Sequence, residues 1–212
     1  MIAAAAEAPS SAPADGNRIT DRAWFDRPAA EVAPDLLGTL LIHDSPEGRV
    51  AGRIVEVEAY QGPEDRAAHS WRGRTPRNSV MFGPPGHLYV YLIYGLHLCA
   101  NIVCGPGDKP EAVLLRAAAI TQGEELAQRR RGAVPARRLA SGPGNLAAAF
   151  GFDRSLNGSD LTRGPVGVAL GPPPQPTPRV ARTPRIGVAY AGAWASRRLR
   201  YLIADDPHRS GR

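Results

Sequence analysis

The chain carries one lysine, Lys109, among its 26 basic residues. Chemistry that runs through a Schiff base is left with that one side-chain amine, in the loop-like GPGDKP. Cysteine is almost as scarce. Cys99 and Cys104 lie in a strand-like segment, and their odd spacing puts them on opposite faces. No disulfide is expected between them, and buried thiols in a reducing cytoplasm are expected instead. No apolar run reaches the roughly 18 residues of a membrane span. The opening MIAAAAEAPSSAPADGNR lacks the basic start and long apolar run of a secretory signal and reads as a disordered tail. The five histidines and two cysteines show no zinc-like spacing. SGPGN is no nucleotide-binding P-loop, because GxxxxGK[ST] is absent.

What is present is a basic, arginine-rich chain of 212 residues with formal charge +6. That length suits one large domain. The charge permits nucleic-acid binding, although a GC-rich genome encodes the same bias. Short helical turns are expected over Asp26 to Leu37, with Gly38 as the stop. A strand over Thr39 to His43 turns through DSPEG into a strand over Arg49 to Tyr60. A long irregular stretch, Gln61 to Gly86, follows. Its Trp71, Met81 and Phe82 mark it as ordered, and loops of that length are commonly functional. His87 to Cys104 reads as two antiparallel strands around a turn at Tyr94-Gly95-Leu96. A strand over Glu111 to Ala118 and a helix over Ile120 to Arg131 come next. SGPGNLAAAFGF reads as a glycine-rich entry into a short helix, and late strands are expected near Val166 to Leu170, Val180 to Val188 and Arg198 to Ile203. Elements that mix without regular βαβ alternation imply an α+β class around an antiparallel sheet.

Several residues could carry chemistry. Alternation puts Ile54, Glu56, Glu58 and Tyr60 on one strand face, and Val55, Val57 and Ala59 on the other. A carboxylate in a pocket of tyrosines can act as a general base toward water, but the same pattern fits a solvated strand face. Tyr94 and Leu96 flank the tip of a protruding hairpin. Either another element covers them, or they form a wedge that enters a DNA groove. Tyr60, Tyr89, Tyr91 and Tyr94, with Arg72, Arg74 and Arg77 between them, suit a stacked base whose phosphates are held nearby. The amides of Gly142 and Gly144, at a helix start, could meet a phosphate. No metal ligand set assembles.

The run RIVEVEAYQGPEDRAAHSWRGRTPRNSVMFGPPGHLYVYLIYGLHLCANIVCG, with EAVLLRA, SGPGNLAAAFG and the late RIGVAYAGAWASRRLRYLI, resembles the alkyladenine (3-methyladenine) DNA glycosylases. The resemblance implies a curved antiparallel sheet in one glycosylase domain, residues 19–205, between tails 1–18 and 206–212, and no cofactor. It implies Glu58 as the base that activates water, with Arg116 beside that water. Tyr60, His69, Tyr91, Asn101 and Leu114 would form the base pocket. Asn101 would disfavour guanine, and Tyr94 would fill the gap left by the extruded base. Glu56 receives no role by either route. Asn145 stands where relatives often carry a lysine, and Ala193 where an acid is frequent. The expected activity is removal of alkylated or deaminated purines from double-stranded DNA, by a cytoplasmic, nucleoid-associated monomer with no membrane partner. With one lysine, a hydrolase without lyase activity is expected. A non-catalytic damaged-DNA-binding module and a small-molecule nucleosidase are the alternatives.

Overall fold

A computed structural model describes residues 17–107, 109–171 and 177–211. The expected N-terminal tail lies outside these residues except for Asn17 and Arg18. The Arg18 guanidinium donates to the carbonyls of Leu161, Gly164 and Val166, which fastens the first described residues to the domain.

The chain enters through α1 (Ala29–Leu36). Ala29, Val32, Ala33 and Leu36 are buried, the i, i+3, i+4, i+7 stripe of an amphipathic helix. Pro28 precedes the helix and its side chain caps nothing. Glu111 supplies the acceptor instead, with Oε2 2.7 Å from the Ala29 amide. The hairpin β1 (Leu40–Ser45) and β2 (Gly48–Tyr60) follows, then β3 (Leu88–Ile93), β4 (His97–Cys104) and β5 (Glu111–Gln122). Two helices, α2 (Glu124–Arg131) and α3 (Pro143–Phe150), lead to β6 (Val166–Ala169), β7 (Val180–Thr183) and β8 (Arg200–Ile203). The strands form one antiparallel α+β sheet in the order β3-β4-β5-β2-β1-β6. β2 forks: its first half pairs with β1, while Glu56 to Glu58 pair with β8, which carries β7.

Three expectations need correction. The helix expected from Ile120 starts only at Glu124, because β5 pairs with β2 as far as Gln122. Gly123 then turns the chain at φ 75°, a left-handed conformation that strains other residues. The strand expected over Val180 to Val188 stops at Thr183. Pro184 has no amide to give a ladder, and Arg185 turns inward. The third correction concerns Ile54. It joins Val57 and Ala59 in the main core, while Val55 packs with Ala117, Ala119 and Ile203. Strict alternation fails because the β2–β5 register shifts on both sides of Glu56. Val55 on one strand and Arg116 on the other are left without a partner, as in β-bulges, which bend strands and re-aim side chains.

One face of the sheet packs on α1 and α3. Leu88, Val90, Ala100, Ile102, Val113 and Leu115 interlock there with Leu36, Leu146 and Phe150. Cys104 belongs to this core, whereas Cys99 faces the other side, and both are buried free thiols. The second face is covered by the long loop and the segment after β7. Met81 packs on Tyr89 and Val103, and Ala67 packs with Val188 and Ala191. No helix among the described residues is long and apolar enough to cross a membrane.

Candidate active site

Sheet register builds the site. Tyr89 pairs with Asn101, Asn101 with Leu114, Leu114 with Glu58, and Glu58 with Arg200. Directly opposed residues point to the same face, so these side chains form a row across five strands. The next alternate positions add Tyr91, Cys99, Arg116 and Tyr60. Above them opens a cavity of about 230 Å³, wide enough for a flat bicyclic ring. Tyr60, His69, Tyr91, Asn101, Leu114 and Arg116 all line it. The mouth is reached by Tyr94 from the hairpin and by Tyr190 from the late loop.

Glu58 lies just behind the cavity wall and is fully buried. The Tyr60 hydroxyl donates to its Oε2 at 2.9 Å, and the Ile186 amide donates to Oε1 at 2.8 Å. Arg116 Nη1 stands 3.3 Å from Oε1. Burial is the largest influence and raises the Glu58 pKa above the ordinary carboxylate range, although Arg116, Ile186 and Tyr60 oppose it. A carboxylate so placed is basic for its type, which suits proton abstraction. Burial, and then the charge of Glu58, drive the Tyr60 pKa well up, so its hydroxyl remains a donor.

The aromatic wall is tightly packed. Tyr91 stacks on Tyr89 with ring centroids 5.0 Å apart, and His69 meets Tyr91 edge-on at 4.5 Å. His69 Nδ1 and the Tyr89 hydroxyl are 3.1 Å apart. His69 keeps an exposed edge at the cavity, and burial of the rest of its ring, helped by the Arg77 charge, draws its pKa down to about 4. Asn101 is buried in the cavity wall, and its Oδ1 has no hydrogen-bond partner among the described residues. A group on a bound ligand could satisfy that orphaned acceptor.

The hairpin tip lies outside all of this packing. Tyr94 and Gly95 both take positive φ, 51° and 69°, and the Leu96 amide bonds back to Ile93. Tyr94 is 84% exposed and Leu96 81% exposed. Neither is covered by another element, although Tyr94 reaches the cavity mouth. Arg72, Arg74 and Arg77 are exposed on the long loop. Arg77 donates to Leu92 and lies over Tyr91, so it is anchored beside the hairpin. Arg72 lies over Trp71. Gly142 caps α3 with φ 105°, Gly144 packs on His97, and Pro143 between them lines the cavity. Asn145 turns back to the Ser141 carbonyl.

Alternation and spacing did not reveal the late loop. Pro184 breaks β7, and Arg185 forms a fully buried double contact with Asp65 while its guanidinium lies 4.6 Å over the Tyr60 ring. Asp65 also accepts the amides of Gln61 and Ala67. This pair clamps Ile186, Gly187 and Val188 against the cavity. The only signal in the sequence was an acid in the turn GPEDR, and its arginine partner lies 120 residues away. Glu56, to which neither alternation nor resemblance assigns a role, is fully buried and bonded to Arg116.

Residues 23–207 match the family model described as methylpurine-DNA glycosylase. A protein of Streptomyces avermitilis with the provisional name 3-methyladenine DNA glycosylase is 47% identical over 193 residues, covering 88% of each chain. Proteins given the same provisional name are 48% identical in Corynebacterium glutamicum, covering 89% of this chain and 95% of the relative, and 50% identical in Methanoculleus marisnigri, covering 80% and 88%. The chain belongs to the methylpurine-DNA glycosylase family and is a base-excision repair glycosylase acting on alkylated purines.

Proposed function

We propose that this glycosylase extrudes the damaged purine of a DNA duplex into the cavity beneath Tyr94 and removes it by hydrolysis, with Glu58 as the general base. A fully buried carboxylate of raised pKa, held by three donors at the back of a tyrosine-lined cavity, carries this reading. Water attacks the sugar C1′ as the glycosidic bond breaks. Glu58 takes the water proton, and the bonding pair leaves with the purine. Positive charge builds on the sugar during this step, and the buried carboxylate stabilises it. An alkylated purine is cationic, so it leaves readily and stacks well on Tyr60 and Tyr91. Arg116 holds the water beside Glu58. His69, neutral and tied through Nδ1, offers Nε2 to the flipped nucleotide.

Tyr94, with Leu96, fills the space the base vacates, which favours the extruded state. Arg72, Arg74 and Arg77 hold phosphates along the hairpin side. The amides at Gly142 and Gly144 hold another at the start of α3. One chain supplies the whole cavity, so the enzyme acts as a monomer on chromosomal DNA. Deaminated and etheno-adducted purines share the flat shape the cavity admits and are included among its substrates. Asn101 disfavours guanine through its 2-amino group. The single lysine stands in the loop before β5, apart from the cavity residues, so the product is an intact abasic site.

Duplexes carrying hypoxanthine or an alkylated adenine, treated with enzyme and then alkali, test this reading. Cleavage should vanish in Glu58→Gln while lesion binding persists. Wild-type cutting by Glu58→Gln would remove Glu58 as the base. Binding without any cutting by the unaltered protein would make it a recognition module, and base release from free nucleosides alone would make it a nucleosidase.

A further inference from the structure

Arg116 stands between two carboxylates that alternate along β2. Its Nε lies 2.9 Å from Glu56, a good charge-assisted bond, whereas Nη1 lies 3.3 Å from Glu58. The carboxylate behind the cavity therefore holds the arginine more closely than the one beside it. Glu56 is fully buried and is not among the cavity-lining residues. Four donors converge on it. Arg116 Nε, Arg200 Nε at 2.7 Å and Ser210 Oγ at 2.7 Å share Oε1, and the Ser210 amide reaches Oε2 at 2.6 Å. The segment beyond residue 205, expected as a tail, is thus held to the domain. Asp206 is buried against Arg53, Arg209 accepts from Ser141 through its carbonyl, and Ser210 Oγ lies 3.4 Å from Arg116 Nη2.

We propose that Glu56, oriented by Arg200 and by the strap that carries Ser210, is a positioning residue that holds Arg116 in the pose the excision reaction needs. Arg116 is the bulged residue of β5, so the ladder does not fix its direction and a side-chain partner must. Glu56 draws the guanidinium back from Glu58. A close pair between Arg116 and Glu58 would stabilise the ionised base and weaken it. Arg200 balances the second acid, so two arginines face two glutamates.

The inference rests on Glu58 being the base, and its test includes that control. Single-turnover excision is followed against pH for the wild type, Glu58→Gln, Glu56→Gln, Ser210→Ala and Ser210→Pro, with lesion affinity and thermal melts alongside. The groups facing Glu58 are Arg116 from β5, Glu56 and Tyr60 from β2, Cys99 from β4, Tyr91 from β3 and Arg185 from the late loop. Glu56→Gln changes one of these charges. Its plateau rate should fall on the order of 10- to 100-fold, as misplaced groups cost. Its acid limb should move to lower pH, because Arg116 can then close on Glu58. Lesion affinity should stay within about twofold of the wild type, since Glu56 lies outside the cavity. Ser210→Pro, which removes both donors, should lose more rate than Ser210→Ala.

A folded Glu56→Gln protein with the wild-type limb and rate overturns the proposal, whatever its melting temperature. If Glu56→Gln does not fold, wild-type rates in both Ser210 variants overturn it. Full activity in Glu58→Gln defeats the general-base reading itself and this inference with it. An inactive Glu58→Gln beside an unchanged Glu56→Gln defeats the positioning role alone.

Discussion

Along β2, Ile54, Val57 and Ala59 face the helices, while Tyr60 lines the cavity and Glu58 and Glu56 are buried behind its wall. The same strand therefore serves two regions of opposite character. The helix side is mostly apolar and close-packed, with Glu111 buried there as the cap of α1. The cavity side buries Glu56, Glu58, Arg116, Asp65 and Arg185 and leaves the Asn101 acceptor unpaired. Burying charge is unfavourable unless it is paired, and Glu58 is kept in a state that its surroundings resist. The apolar face offsets that cost. Stability and chemistry are drawn from opposite sides of one sheet, which is how a folded protein can hold a strained site.

The division can be tested from its largest effect downward. Arg185→Ala leaves Asp65 buried without its partner and should cost about 3–5 kcal/mol, read in denaturant unfolding, with the late loop released from the cavity. Leu115→Ala on the helix side should cost about 2–5 kcal/mol. Its folded fraction should nevertheless excise at the wild-type rate. A slowed chemical step in folded Leu115→Ala would show that the two faces are coupled.

Tyr94→Ser should do the reverse. The side chain is almost wholly exposed, so the melting temperature should hold, while lesion affinity should weaken by about 1–3 kcal/mol as the stacking partner is lost. Equal affinity for the lesion duplex would remove the wedge. The smallest effect is one of pH. A raised pKa means the fold favours protonated Glu58, so that contribution is complete below the ordinary value of 4.5 and is lost as pH rises through the folded-state value. Relative to Glu58→Gln, the wild type should lose stability across that interval. Melting temperatures of the two proteins that change in parallel with pH across that interval would mean Glu58 is not destabilised by burial.

Local pattern made much of this legible. Short-range alternation and turn residues defined the hairpin of β3 and β4, its turn at Tyr94-Gly95-Leu96 and the α+β class, because strand faces and tight turns depend on near neighbours. The motif around Glu58 and Tyr60 was visible for the same reason: both side chains project from one face two residues apart. The places where the pattern failed were those where contacts distant in sequence outweighed it. Bulges at Val55 and Arg116 reversed the assignment of Ile54, and a bulge exists only once two strands pair. Strand pairing carried β5 past the expected helix start to Gly123.

The chain order fixed the residue types of the site and the strands that bear them. Folding alone brought Asp65 to Arg185, and Ser210 to Glu56 across 154 residues of chain. No periodicity encodes those meetings. Each is a buried charge or amide that must find a partner wherever the fold supplies one, since an unpaired polar group in the interior costs more than the pairing returns.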